Sequence, residues 1–481
     1  MNYRMLGYLL GIIMFIEAAL MLVPAAVSLI YSESVLPFLI TVAILIVLSL
    51  PLVLSKPKNT RIYAKEGFVC VAAAWILLSA FGALPFVFSG SIPNYIDAFF
   101  ETASGFTTTG ASILNEVESL PRGILFWRSF THWVGGMGVL VFMLAVMPAD
   151  NGRAMYLLRA EVPGPTKDKL VPKMRQSAMI LYGIYVVLTV IEIIALRLTD
   201  MPLYDCFVNS FATAGTGGFS VKNTSIGAYA NPAAEWVIAV FMMIFGVNFN
   251  IYFLLLVKKF KAAFKSEELR VYLIICAVST AVIAANIYNS VSDLGMSDSI
   301  RTAFFQVTTV ISTTGFSSVD FNLWPSLSKT VLILLMMLGA CAGSTAGGLK
   351  ISRVIISVKN VFRLIKQTVS PRSVTVVRLD KEVQSEETLR SASNHITVYV
   401  AALAVTVLLI SVDGFDFETN FTAVLSCISN IGPGFGAVGP MGNFSAYSPL
   451  SKLLLSFIML IGRLEFMPML ILFSPSTWKK H

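Results

Sequence analysis

Residues 104–112 read SGFTTTGAS, and three later stretches repeat the same chemistry: ATAGTGGFS at 212–220, VISTTGFSS at 310–318 and SNIGPGFGAVG at 429–439. Each joins hydroxyl side chains to glycine and carries no acidic residue. Aligned on Gly110, Gly218, Gly315 and Gly434, they recur roughly every 100 residues, too long for a solenoid and suited to a duplicated membrane unit. The register stays open in the second turn, with its three glycines Gly215, Gly217 and Gly218, and in the fourth, which holds Gly432, Gly434 and Gly436.

The segments before these turns, 97–107, 205–213, 300–312 and 419–429, hold about ten residues each. As helix they cover about half the hydrocarbon core, so each must enter and return on one side. Non-helical backbone at that depth is tolerated only inside protein or beside water. One such loop alone is more often an ordinary external turn. Four in register point instead to re-entrant loops around a polar path.

Working outward, the turns lie between long apolar runs. The chain has 481 residues, of which 56% are apolar and 13% charged, well below the quarter charged that is usual in soluble domains. Runs at 38–54, 123–147, 177–196, 237–257 and 452–472 approach the length of a bilayer span. The first apolar stretch continues past Ala25 and reads as an anchor rather than a cleaved leader. The expected architecture is an all-α polytopic membrane protein. An N-terminal transmembrane helix pair occupies 1–66, and four helix–pore loop–helix repeats follow at 67–152, 176–262, 268–367 and 391–477, arranged in pseudo-fourfold fashion around one pore. That arrangement implies ten spanning helices.

The net charge of +8 would suit nucleic acid, but the basic residues crowd into short loops between apolar runs, at 56–65, 153–175, 258–270 and 350–390. This is the positive-inside pattern; it places both termini in the cytoplasm and excludes nucleic acid as the partner. Acidic residues, among them Asp97, Glu101, Glu116, Glu118, Asp205, Asp298, Asp320 and Glu418, fall outside, so the outer mouth is expected to be net negative. Five scattered cysteines and three histidines form no metal-ligand spacing. No HExxH, GxSxG or paired carboxylates at membrane depth support a membrane enzyme. The chain is expected not to be an enzyme and to take no organic cofactor.

A cation entering such a path must exchange water for other oxygens. Backbone carbonyls do this without fixed charge, glycine allows the backbone angles required, and threonine adds hydroxyl oxygens. The absence of carboxylates argues against a calcium site. The candidate ion-binding residues are Thr108, Thr109 and Gly110; Thr216, Gly217 and Gly218; Thr313, Thr314 and Gly315; and Ile431, Gly432 and Gly434. Two features lie nearby. The run GACAGSTAGG at 339–348 is poor helix, at about 1 kcal/mol per glycine. It reads either as close helix packing through small residues or as an unwound intramembrane loop. Arg463 stands inside the last apolar run, where a charge faces a cavity or a partner. Glu465 is too far around the helix to be its partner there.

The turns SGFTTTGAS, STTGFSS and NIGPGFG resemble the filter segments of the Trk/Ktr/HKT superfamily of potassium transporters. The resemblance covers nearly the whole chain, and the N-terminal helix pair places it with the TrkH-type members. It implies potassium uptake across a bacterial inner membrane, K+ as the transported ion bound at the four turns, and homodimeric assembly. It also implies a gate loop at Gly343, Ser344, Gly347 and Gly348, held by Arg463. A cytosolic TrkA-type ring that binds nucleotide, NAD(H) or ATP/ADP, would regulate the pore, docked on the basic cytoplasmic face. The residues by themselves leave open a sodium- or proton-coupled secondary transporter.

Overall fold

The computed structural model describes residues 1–57, 63–138, 174–290 and 295–478. The basic loop expected at 153–175 and the end of the apolar run 123–147 lie largely outside these residues, as do Lys58, Arg61 and the C-terminal residue.

Two long apolar helices, α1 (Tyr3–Ile30) and α2 (Leu36–Leu54), open the chain and pack along each other. Gly11 permits the contact: a Cβ there would stand 2.7 Å from that of Leu52. The outer faces of this pair carry exposed Leu29, Ile30, Val47 and Leu54. Apolar surface of this extent is stable against lipid tails and not against water.

One succession then recurs four times: a long helix, a short helix, a turn and a further helix. The long members are α3 with α4 (Ala64–Gly82, Leu84–Phe88), α7 (Met174–Arg197), α12 (Glu267–Ser290) and α16 (Glu386–Ile410). The short ones are α5 (Tyr95–Phe106), α8 (Leu203–Gly215), α13 (Met296–Ile311) and α17 (Phe417–Ser429). These short helices are buried along most of their length, ringed by the others. The first of them begins on a capping group: the Asn94 side chain accepts from Ile96 N at 2.8 Å, which satisfies one of the amides a helix start leaves open.

The helices after the turns are shorter than unbroken spans. They are α6 (Arg122–Gly136, 15 residues), α9 (Pro232–Phe245, 14), α14 (Ser326–Met337, 12) and α18 (Pro449–Arg463, 15). At 1.5 Å per residue each covers only about 18–22 Å. Among the described residues, six helices are long and apolar enough to cross a membrane. A seventh is counted if α9 and α10 (Phe249–Leu256), bent by 90°, are one span. Each of the four stops at an interruption: Gly138 at φ 75°, the Gly246–Asn248 break, the segment after Leu338, and Glu465–Phe466 at φ 57° and 67°. Among the described residues, short helices α11 (Phe260–Lys265), α19 (Met467–Phe473) and α20 (Pro475–Trp478) and helix α15 (Ile351–Val369) complete the α-helices. A two-stranded ribbon, β1 (Arg378–Leu379) with β2 (Glu382–Val383), packs on α15 and is the exception to the all-α expectation among the described residues.

Candidate functional site

The four short helices end in one and the same backbone turn. The residue after each last turn is left-handed and is not glycine: Thr108 at φ 55°, Thr216 at 56°, Thr313 at 56° and Asn430 at 55°. Its own N–H bonds three residues back, and the next N–H bonds five residues back. The latter bonds are Thr109 to Ser104 O (2.8 Å), Gly217 to Ala212 O (2.8 Å), Thr314 to Thr309 O (2.8 Å) and Ile431 to Ser426 O (2.9 Å). This pair of bonds is the Schellman closure, usually built on glycine. A β-branched threonine is strained there, and such strain persists only where the surroundings over-determine it. The turns are that environment: Thr108, Thr216, Thr313 and Asn430 are wholly buried.

Two residues further on comes a glycine with positive φ: Gly110 (78°), Gly218 (76°), Gly315 (86°) and Gly432 (104°). The fourth turn is therefore in register through Gly432, and the alignment on Gly434 is corrected. Gly434 has no left-handed backbone. Its N–H bonds Val438 O at 2.7 Å, and a Cβ on it would meet the Thr422 hydroxyl at 2.8 Å. In the second turn Gly218 holds the aligned place, and Gly215 ends the helix against the backbone of His132.

These glycines interlock the turns. A Cβ on Gly110 would overlap the carbonyl oxygen of Gly217, one on Gly218 that of Thr314, and one on Gly315 that of Ile431. One on Gly432 would stand 2.7 Å from the carbonyl oxygen of Thr109. First turn meets second, second third, third fourth, and fourth first, so the contacts close a ring. The same glycines floor a cavity of about 110 Å³, lined higher up by Ser112, Ser220, Ser317 and Asn443. All four short helices direct their C-terminal, partially negative ends at this ring.

Hydroxyl groups fill the space behind it. Thr107 and Thr109 share a 2.8 Å hydrogen bond, and Ser312 and Thr314 one of 2.7 Å. Asn430 Nδ2 donates to Thr109 Oγ1 (2.9 Å) and to Met459 O (3.0 Å), tying the fourth turn to the first. Charges nearby are paired. Glu101, buried in α5, meets Arg128 at 2.6 Å and accepts from Ile113 N at 2.9 Å. Arg128 lies in turn 3.5 Å over the Phe219 ring. Asp97 pairs with Lys452 at 2.7 Å, and Asp298 with Arg301, also at 2.7 Å. On the surface, Lys222 holds Glu118 at 3.0 Å and keeps its carboxyl below the usual range. Several of the carboxylates expected at the outer mouth are thus locally matched by cations. Arg128 and Lys452 were legible as charges inside apolar runs, the signal by which Arg463 stood out.

Below the ring, 338–350 is not helix. Its two ends run side by side: Gly339 N donates to Leu349 O at 2.5 Å and Ile351 N to Ala340 O at 3.2 Å. Of the two readings open from sequence, this is the unwound loop. Its tip rises to the turns, where Gly347 N donates to Thr313 Oγ1 at 2.7 Å. A Cβ on Gly347 would stand 2.5 Å from Ser429 O. Gly343 O accepts from Phe249 N at 3.0 Å, and Cys341 N donates to Gly246 O at 3.1 Å. The loop thereby satisfies backbone groups freed by the 90° bend. Ser344 Oγ bonds back to Cys341 O at 2.7 Å, and Gly348 takes φ 67°.

Arg463 reaches this loop. Its guanidinium donates to Thr345 O (2.7 Å), Gly135 O (2.7 Å) and Gly136 O (2.8 Å), joining the loop to the end of α6. Glu465 faces elsewhere and clasps Arg353 through both carboxylate oxygens. The long basic run expected at 350–390 is partly consumed inside the protein. Lys350 is buried against Ala346 O, and Lys359 and Arg363 pair with Glu267 and Glu386. Lys366 and Arg372 remain exposed. Among the described residues no group of three or more His, Cys, Asp or Glu side chains is placed to hold a metal.

This geometry has known counterparts. The chain matches the TrkH family, described as cation transport protein, over residues 36–480. It is 35% identical over 494 residues to the Trk system potassium uptake protein TrkH of Salmonella typhimurium, covering 100% of both chains, and equally to that of Escherichia coli K12. Its structure is similar to the crystal structure of the potassium transporter TrkH from Vibrio parahaemolyticus, with a TM-score of 0.90, 29% identity and 100% of each chain covered. A polytopic membrane chain similar over its full length to potassium transporters, it belongs to the TrkH family of cation transport proteins.

Proposed function

We propose that this chain takes up potassium across the bacterial inner membrane through one pore made by its four repeats in pseudo-fourfold array. The observation that carries the reading is the closed ring of turns at Gly110, Gly218, Gly315 and Gly432, free of acidic side chains and flooring an open cavity. In this reading Thr108, Thr109, Gly110, Thr216, Gly217, Gly218, Thr313, Thr314, Gly315, Ile431 and Gly432 supply the carbonyl and hydroxyl oxygens that replace water around K+. Gly434 supports the turn from behind.

The loop at 338–350 is the gate, and Arg463 keeps it under the filter. Its contacts with the third and fourth turns, and the bond from Arg463 that ties Thr345 O to the end of α6, support this role. The relatives are named as proteins of a potassium uptake system. By the same likeness a cytosolic TrkA-type ring carrying the nucleotide site docks on the cytoplasmic face, and the chain works as a homodimer.

The test is cation flux into liposomes holding the purified chain alone. Passive K+ flux exceeding Na+ flux, with no counter-ion requirement, supports a channel-like pore. Flux that demands a sodium or proton gradient replaces it with a coupled transporter.

A further inference from the structure

Besides Thr313, Arg463 and the α9–α10 bend, the loop has a further attachment, which lies at the neck rather than the tip. Glu268, the second residue of α12, is buried at 5% exposure. One of its oxygens, Oε1, accepts from the backbone N–H of Ala342 at 2.7 Å and from that of Ser352 at 3.0 Å. Ala342 lies on the outgoing limb of the loop and Ser352 in the first turn of α15, where the returning limb ends. A single oxygen atom therefore bridges both limbs, alongside the backbone bonds of the neck. A buried amide without an acceptor is costly, and bonds to a carboxylate are stronger than neutral ones.

The mount of this oxygen is itself fixed from the cytoplasmic side. The N–H of the preceding residue, Glu267, donates to Asp380 Oδ1 in the ribbon at 2.5 Å, and its carboxylate meets Lys359 of α15 at 2.5 Å. Glu267 and Glu268 thus face opposite ways, one to the cytoplasmic ribbon and one to the loop.

We infer that Glu268 is the positioning residue that latches the neck of the loop and passes movement of the cytoplasmic ribbon to it. This rests on the loop acting as the gate. When the latch opens, both limbs lose their common acceptor and the tip is held only by Thr313, Arg463 and the bonds to the α9–α10 bend.

The experiment uses the full-length chain in liposomes, in a background where Cys341 is the only cysteine, and reads two quantities: K+ flux, and the rate at which a water-soluble methanethiosulfonate labels Cys341. Glu268→Ala is expected to raise both by about tenfold, the scale of losing charge-assisted bonds. Glu268→Gln keeps an oxygen at the same place and is expected to stay within about twofold of the parent. Arg463→Ala serves as the control for the gate itself. Parental labelling and flux in Glu268→Ala, with raised flux in Arg463→Ala, overturns the latch and leaves the gate standing. Raised labelling in Glu268→Ala with no rise in flux for either variant overturns the gate and keeps Glu268 as the holder of the loop. A Gln variant as perturbed as the Ala variant overturns the latch, since acceptor geometry would not be what matters. Should Glu268→Ala fail to fold, Glu268→Asp, which keeps the charge and shortens the reach, takes its place with the same labelling outcome expected.

Discussion

The side chain of Thr313, in the third turn of the ring, accepts a 2.7 Å hydrogen bond from the backbone N–H of Gly347 at the tip of the loop beneath it. The residue whose left-handed backbone shapes the turn is thus also a point of attachment for the loop. Replacing Thr313 with Val preserves shape and removes the acceptor. The buried amide left behind costs about 1–3 kcal/mol. K+ flux through the purified chain should rise several-fold, whereas Thr313→Ser should lie near the parent; liposome flux assays check both.

The ring separates two glycines that the sequence alone leaves equivalent. Gly432→Ala places a methyl group against Thr109 O on a backbone at φ 104°. It should lower the K+/Na+ permeability ratio by about tenfold or more. Gly434→Ala meets Thr422 and Val438 away from the ring. Its effect should appear in thermal stability, with the ratio within about twofold of the parent. Equal loss of selectivity in both would return the register to Gly434.

Arg463→Ala removes the donor to Thr345, Gly135 and Gly136. Charge-assisted bonds of this kind are worth about 1.5–3 kcal/mol each. Loss of even one net bond shifts a closed loop toward opening by about tenfold or more. Flux should therefore increase in the absence of any partner. Unchanged or lower flux in a correctly folded variant argues that the arginine only braces the helices.

The Glu101–Arg128 pair, 2.6 Å apart, is almost wholly buried behind the ring. Removing one member strands a charge, at a cost of about 3–5 kcal/mol. Glu101→Ala should lower the melting temperature of the detergent-solubilised protein far more than Glu118→Ala, whose pair with Lys222 is exposed to solvent. Similar melting temperatures for the two would show that Arg128 finds another acceptor.

For docking of a cytosolic ring, the exposed cations matter and the paired ones do not. Lys366→Ala with Arg372→Ala should weaken association, and association should fall as salt rises, since exposed charges are screened over about 8–10 Å. Arg363→Ala, which first breaks a pair with Glu386, should have a smaller effect. Pull-down at several salt concentrations separates them, and association insensitive to both salt and these residues would remove charge from the account.

The sequence by itself determined the membrane class, the four glycine turns and the gathering of basic residues in short loops, because apolar run length, glycine conformation and charge distribution are local properties. It also marked Arg463, since a charge inside an apolar run is costly wherever it points. Tertiary structure decided the rest. Gly432 and Gly434 are told apart by which one takes the left-handed backbone and meets the carbonyl of Thr109, a residue more than 300 positions away. The run at 339–348 was equally fit for helix packing or an open loop until Glu268, Thr313 and Arg463 supplied partners for its backbone. Carboxylates that read as a negative mouth, Asp97 and Glu101 among them, are neutralised by Lys452 and Arg128. Pairing across such distances depends on which helices become neighbours. That choice follows from the packing of whole faces, and no single stretch of sequence contains it.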